Sequence, residues 1–226
     1  MRTVILYRES LSELEEIEAM QSEFGSDRCL NSRTLIQKGD LVIGRYSCLP
    51  FYKELENDLN NIGAKLINSY RQHRFIADIQ NWTTLLGPYI TPPAISEFQD
   101  LPEVGEFVLK GETNSRKFQW NTHMFATSKK EAINMRLLLQ QDSLLCSQTI
   151  YARPYVPLHQ YGTGIGGIPI SEEYRFFVLD KEILTGAFYW SEHFDQVSPS
   201  PRANSVPRDW LNEVINLIDD NVRFYV

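Results

Sequence analysis

Five side chains between positions 110 and 175 are placed to do chemistry together. Lys110 ends the apolar run FVLK, Ser115 and Lys117 follow in the polar stretch GETNSRK, Arg153 lies in IYARPYV, and Arg175 lies in EYRFFVLD. Residues two apart share a face of a strand. That alternation sets Lys110 beside Val108, Arg153 beside Tyr151 and Tyr155, and Arg175 beside Phe177 and Leu179. A cation among apolar neighbours sits at a sheet edge, snorkels to water or is held by an anion, because an unpaired buried charge is costly. Three such cations in one half of a chain point to an anion. Phosphate uses this set best, since arginine forks bind its oxygens in pairs and lysine supplies a mobile point charge.

The stretch after Lys110 fits the same chemistry. Gly111 permits a tight turn and close backbone approach, and Thr113, Asn114 and Ser115 offer hydroxyl and amide donors. With Arg116 and Lys117 the loop is expected to act as a flap over a polyphosphate, its three cations (Lys110, Arg116 and Lys117) neutralising the charge.

The elements that must position these groups fall into two patterns. TVILY reads as a buried strand, and SLSELEEIEAMQSEF as a helix opened by Ser10 and Glu13 at capping-box spacing. LVIGRYS is a second strand, PFYKELENDLNNIG a helix closed by Gly63, and KLIN a third strand. That βαβαβ order predicts a small parallel sheet. SYRQHRFIADIQNWTTLLG is expected to be one helix closing a domain over residues 1–88. Residues 89–226 read as α+β with antiparallel pairing. GEFVLKGE, RKFQWN, SQTIYARPYV, EYRFFVLD and EILTGAFYW are strand-like, the last two forming a hairpin across LDKE. SKKEAINMRLLLQQ and DWLNEVINLIDD are helical, and NVRFYV is a terminal strand.

Composition narrows the partners. The 226 residues carry a net charge of −7, which argues against gripping nucleic acid through the overall field. Cys29, Cys48 and Cys146 are scattered and odd in number, so no disulfide framework or zinc knuckle is written, and a reducing, cytoplasmic setting is expected. No signal segment or membrane-length apolar run is read. The glycines of YGTGIGGIP lack the following helix that a dinucleotide fingerprint requires, and a flexible connecting loop is expected there. No P-loop or GxSxG elbow occurs, and His73, His123, His159 and His193 show no ligand spacing. Trp82, Trp120, Trp190 and Trp210 take core packing as their default role.

FVLKGETNSRK, IYARPYVPL and EEYRFFVLDKEILTGAFYW, in that order, resemble the ATP-grasp superfamily. More narrowly they look like the small ATP-grasp proteins of phages and bacteria marked by one lysine and two arginines on core strands. DLVIGRYSCLPFYKELE and GAKLINS are similar to the small α/β domain that precedes the nucleotide-binding halves. The resemblance implies an α/β plus α+β fold that sandwiches ATP between two subdomains, and a ligase that activates a carboxylate as an acylphosphate for attack by an amine or thiol. It implies Lys110 as a phosphate contact, Ser115 and Lys117 in the phosphate-covering loop, and Arg153 to Val156 on the strand leading to the adenine hinge. Tyr155 or Tyr151 would wall the base, and Arg175 would sit near the terminal phosphate. Catalysis of this kind is positioning and electrostatics, assigned to Lys110 and Arg175.

The family also implies magnesium, held by an acid on a late strand and a Glu-x-Asn pair on the next. The chain stops at NVRFYV before such strands, and Glu172, Glu173 and Asp180 match no metal motif. Arg71 and Arg74 stand where many relatives place a lysine. Two expectations follow: a ligase for a small-molecule or peptide carboxylate, completed by a homo-oligomer or a C-terminal fragment, or a silent relative that binds nucleotide or a protein. A nucleic-acid ligase is a third, for which KGET at Lys110 does not supply the KxDG motif.

Overall fold

The computed structural model describes residues 1–9, 14–45, 51–190, 205–219 and 221–226. The capping pair Ser10 and Glu13, together with Cys48 and His193, lies outside them. The chain divides into two compact units, Met1–Arg74 and Phe75–Val226.

In the first unit the elements are β1 (Thr3–Leu6), α1 (Leu14–Phe24), β2 (Cys29–Leu30), β3 (Leu41–Gly44), α2 (Tyr52–Ile62) and β4 (Lys65–Leu66). The sheet runs β2-β1-β3-β4 with every pair parallel, as helical crossovers require. The two-residue β2 was not foreseen. Val4, Leu6, Val42, Leu55, Leu59 and Leu66 form the core, and α2 ends at Gly63 in the left-handed region, φ +78°. Arg2 grips both oxygens of buried Asp40 at 2.9 and 2.7 Å. That fork, with the Gln37 amide, holds the Asp40 carboxyl below its ordinary range. His73 stacks on Tyr52 at 4.2 Å, and burial lowers its pKa.

α3 (Tyr70–Ala77) spans the division, and α4 (Ile79–Leu86) belongs wholly to the second unit. The single helix expected here is broken at Asp78, which has extended backbone and accepts from the Gln80 amide as an N-cap. Residues 75–88 fall within the second unit, where the Ile79 amide donates to Glu112 O at 2.9 Å.

The rest of that unit comprises β5 (Val104–Gly111), β6 (Phe125–Ser128), α5 (Lys129–Gln140), β7 (Ile150–Pro154), β8 (Gln160–Thr163), β9 (Pro169–Ser171), β10 (Tyr174–Leu179), β11 (Glu182–Phe188), α6 (Arg208–Leu217) and β12 (Phe224–Tyr225). They form antiparallel sheets β6-β5-β7, β8-β9 and β11-β10-β12. α5 is capped at its start, the Ser128 side chain accepting from the Glu131 amide while the Glu131 carboxylate accepts from the amide and hydroxyl of Thr127, and packs Ala132 and Leu139 against Phe107, Leu109 and Ala126.

Two expectations are corrected here. RKFQWN is not a strand: Lys117–Gln119 is a 3₁₀ turn and Trp120–Met124 a π turn, ahead of β6. Nor is YGTGIGGIP a flexible connection, since it builds the β8-β9 hairpin. The two corrections share a cause. Gly166 and Gly167 have φ of +70° and +89°, and a Cβ on Gly166 would lie 2.0 Å from the Phe118 carbonyl oxygen. Glycine lets the hairpin tip press directly on the backbone of the turn.

The β10-β11 hairpin forms as expected. Its turn residues Asp180 and Lys181 are both left-handed, at φ 49° and 69°, the twist that two-residue hairpins favour. Asp180 holds Arg223 through bonds of 2.8 and 2.6 Å, and Lys181 donates to the carbonyls of Ile215 and Ile218 at the end of α6. No helix among the described residues is long and apolar enough to cross a membrane.

Candidate functional site

A cleft of about 330 Å³ opens in the second unit. β5 supplies Val108 and Lys110, β7 supplies Arg153 and Pro154, and the following stretch supplies Tyr155, Val156 and Leu158. Ser115, Lys117, Trp120, Ile168, Ser171, Glu173 and Trp190 also line it. The antiparallel register pairs Val108 with Arg153 and Lys110 with Tyr151, which brings the β5 lysine and the β7 arginine to one patch of sheet.

Lys110 has no hydrogen-bond or ion-pair partner among the described residues. Burial, helped by the charges of Arg153 and Lys117, pulls its pKa down to about 8. An ammonium kept from water beside two other cations is stabilised by an arriving anion. Arg153 differs. Its guanidinium donates to Pro92 O at 3.2 Å and to the Thr91 hydroxyl at 2.5 Å, and lies 5.0 Å from the Trp82 ring centroid. It is a fixed charge. Lys117 donates to the Tyr189 hydroxyl and sits over the Tyr189 and Trp190 rings at 4.2 and 5.5 Å.

Ser115 lines the cleft, and the loop that carries it is held in place. The Gly111 amide donates to Asn114 O at 2.9 Å, and the Gln148 side chain accepts from the Thr113 amide and donates to Asn114 Oδ1. Arg116 is the exception to the expected trio of cations. It forms a fork with Asp142 at 2.7 and 2.5 Å, so its charge is already matched within the protein.

The aromatic wall is Tyr155, which meets Phe125 edge-on at 5.0 Å while Trp120 stacks on Phe125 at 5.8 Å. Tyr151 is buried and does not line the cleft. The Tyr155 amide is used by Glu106 O at 2.8 Å, whereas Val156 has no backbone partner among the described residues, leaving its N–H and C=O free at the cleft edge.

Arg175 lies in a different place. It is exposed, with its guanidinium carbon 4.5 Å from the Tyr189 centroid, and it lines a neighbouring cavity of about 490 Å³ rather than the cleft of Lys110. Lys117 and Glu173 line both cavities. The structure therefore gathers Lys110, Ser115, Lys117, Arg153, Tyr155 and Val156 and sets Arg175 one cavity away.

Three contributors went unforeseen. Among the described residues Glu173 is the only carboxylate in the cleft, and it accepts from Trp190 Nε1 at 2.8 Å. Nothing in the adjacent pair Glu172-Glu173 marks which one turns inward. Tyr189 links Lys117 with Arg175, and Trp190, packed in a core cluster with Ile168, Ile170 and Phe188 as expected, also lines the cleft.

The magnesium implied by the resemblance is not matched by these residues. Among the described residues no group of three or more His, Cys, Asp or Glu side chains is arranged to hold a metal ion. Asp180 is engaged with Arg223 and Glu172 with the Tyr174 hydroxyl, which leaves Glu173 alone in the cleft.

No family model matches the sequence, and no curated protein matches it. Solved structures do. A RimK domain ATP-grasp protein from Sphaerobacter thermophilus is similar over 99% of this chain and 83% of its own, at 14% identity and TM-score 0.59. The D-alanine–D-alanine ligase from Bacillus anthracis, solved in complex with ATP, is similar over 100% and 79%, at 12% identity and TM-score 0.57. The D-cycloserine synthetase DcsG is similar over 81% and 66%, at 13% identity and TM-score 0.51. The mixed α/β architecture, with one parallel sheet and several antiparallel ones, is the fold these proteins share.

Proposed function

We propose that this chain, whose fold is that of ATP-grasp proteins, binds ATP in the cleft between β5, β7 and the β8-β9 hairpin and uses it to ligate a carboxylate to an amine or thiol. One observation carries the reading. Lys110, unpartnered and with its pKa pulled down to about 8, shares a cleft with Arg153 and Lys117 and with an apolar, aromatic wall. Such a cleft favours a ligand that is polyanionic at one end and flat and apolar at the other.

In this reading the base lies against Tyr155 and Leu158, and its edge meets the free N–H and C=O of Val156. Lys110 and Lys117 take the phosphates, covered by the loop of Ser115, while Arg153 supplies a fixed positive field. The chemistry runs in two steps. A carboxylate oxygen bonds to the γ-phosphorus as the bond to the bridging oxygen breaks, and ADP leaves with that electron pair. The amine nitrogen then attacks the acyl carbon, and inorganic phosphate departs with the carbonyl–oxygen electron pair while the nitrogen loses its proton to solvent. The cations assist by meeting charge as it shifts toward ADP.

The test is calorimetric binding of ATP to the chain, followed by trapping with hydroxylamine, which converts an acylphosphate to a coloured hydroxamate. Hydroxamate formed only with ATP and a carboxylate supports ligation. Failure of ATP to bind overturns the reading. A second reading is favoured by the lone carboxylate Glu173: the chain binds nucleotide, or a protein partner, without turnover. ATP binding with no hydroxamate and no phosphate release across a broad set of acids would select it.

A further inference from the structure

The 490 Å³ cavity beside the nucleotide cleft has a chemical polarity of its own. Most of its lining is apolar, including Trp82, Leu86, Trp210, Leu211 and Val214 from α4 and α6. One end carries Arg175 and Lys117, and Arg175 has no carboxylate partner among the described residues. Among the described residues Glu173 is the one acid in the lining, and it is bonded to Trp190. Tyr225 also lines the cavity, and its buried hydroxyl has no hydrogen-bond partner among the described residues; burial raises its pKa, so it remains a neutral donor.

The geometry points to this cavity as the site of the acid substrate, an apolar monocarboxylate whose carboxylate meets Arg175 and Lys117 and whose tail lies against α4 and α6. The Arg175 guanidinium, exposed and without a carboxylate partner among the described residues, offers its fork to a carboxylate at the mouth of the cavity. The tail is expected to carry no second one, since no further cation among the described residues lines the cavity and a buried unpaired charge is costly. A single hydroxyl on the tail is accommodated, because the Tyr225 hydroxyl lacks a partner. The shared Lys117 and Glu173 set the carboxylate end of this cavity against the nucleotide cleft. That this acid is the one activated rests on the nucleotide reading; that the cavity binds it does not.

The experiment uses the whole chain without nucleotide, with calorimetry and saturation-transfer NMR on four probes: 3-phenylpropionate, 3-phenylpropanamide, glutarate and acetate. 3-Phenylpropionate is expected to bind at least about tenfold more tightly than the other three, and Arg175→Gln to remove about that factor. Val214→Phe, which fills the cavity, is expected to weaken the acid similarly, with circular dichroism as the folding check and Leu86→Phe as the substitute if it does not fold. Equal binding of acid and amide, indifference to Arg175→Gln, or no binding of 3-phenylpropionate overturns the proposal. ATP affinity measured alongside separates the two readings. ATP binding without acid binding sinks this site alone, and acid binding without ATP binding sinks the nucleotide reading alone.

Discussion

Lys117 and Arg175 reach the same phenol: the Lys117 ammonium lies 4.2 Å and the Arg175 guanidinium carbon 4.5 Å from the Tyr189 ring centroid. The two cations belong to different segments and meet in the 490 Å³ cavity, Lys117 also lining the cleft of Lys110, and one side chain positions both. A ring face attracts a cation by about 0.5–2 kcal/mol depending on desolvation. Tyr189→Leu is therefore expected to weaken ATP binding by about three- to tenfold, and Tyr189→Phe, which keeps the ring but not the hydroxyl, by less. Titration calorimetry on both variants checks the order. Equal loss would assign the effect to the hydroxyl instead.

Lys110 makes pH a reporter of the cleft. Its pKa is lowered from 10.5 to about 8, so the folded protein releases this proton before the unfolded chain does. The unfolded state then binds more protons between about pH 8 and 10.5, and stability contributed at this position rises with pH across that window. Below it the charged lysine is a standing cost, of order 3 kcal/mol by the shift alone. Lys110→Met is expected to raise the denaturation midpoint at neutral pH, to flatten the rise above pH 8, and to lower ATP affinity. Phosphate pulls the pKa back up, so ATP binding near pH 8 should take up about half a proton, measured by calorimetry in buffers of different ionisation enthalpy.

Arg116 is predicted to matter for stability more than for binding. Its fork to Asp142 holds that carboxyl below its ordinary range, helped by the Leu144 and Leu145 amides. A depressed carboxylate stabilises above its unfolded pKa and loses that contribution as pH falls through the folded one. Asp142→Asn should cost roughly 1–2 kcal/mol at neutral pH and make the protein less sensitive to acid. Arg116→Gln should leave ATP affinity within about threefold, which chemical denaturation and calorimetry on the same samples would test together.

Gly166→Ala should be the most damaging single-methyl change. The added Cβ would meet backbone at 2.0 Å, and the residue already sits at φ +70°. A loss of about 2–4 kcal/mol is expected, with ATP binding weakened as the hairpin shifts off the Phe118 turn. Gly39→Ala, at φ +86° with nothing within 4 Å of the new atom, is the matched control and should cost only about 1 kcal/mol. Similar thermal shifts for the two would refute the close-approach argument.

The strands with alternating or continuous apolar residues were readable because their pattern reports burial: β1, β3, β5, β7, β10 and β11 all lie where the period places them. Lys110 and Arg153 were picked out by the same rule, as cations on apolar faces, which also picked Arg175, outside the cleft. What escaped depends on long-range partners. The Asp78 break is a competition between one carboxylate and a helical hydrogen bond, and the β8-β9 hairpin exists because glycines dock on Phe118. Nor could alternation reveal that Arg116 turns to Asp142 while Lys117, its neighbour, turns to Tyr189.

The two left-handed residues at Asp180 and Lys181 also bear on the order in which the second unit assembles. They close β10 onto β11 with the shortest of connections, whereas β5 meets β7 through pairs such as Leu109 with Ala152. Short loops close at little entropic cost, and isolated hairpins form within about 1–10 μs. Lys181 then presents its ammonium to the Ile215 and Ile218 carbonyls of α6, and Asp180 its carboxylate to Arg223 beside β12. On that argument the hairpin is expected to form early and the C-terminal segment to dock on it later. In pulsed hydrogen exchange, amides of β10 and β11 would be protected before those of α6.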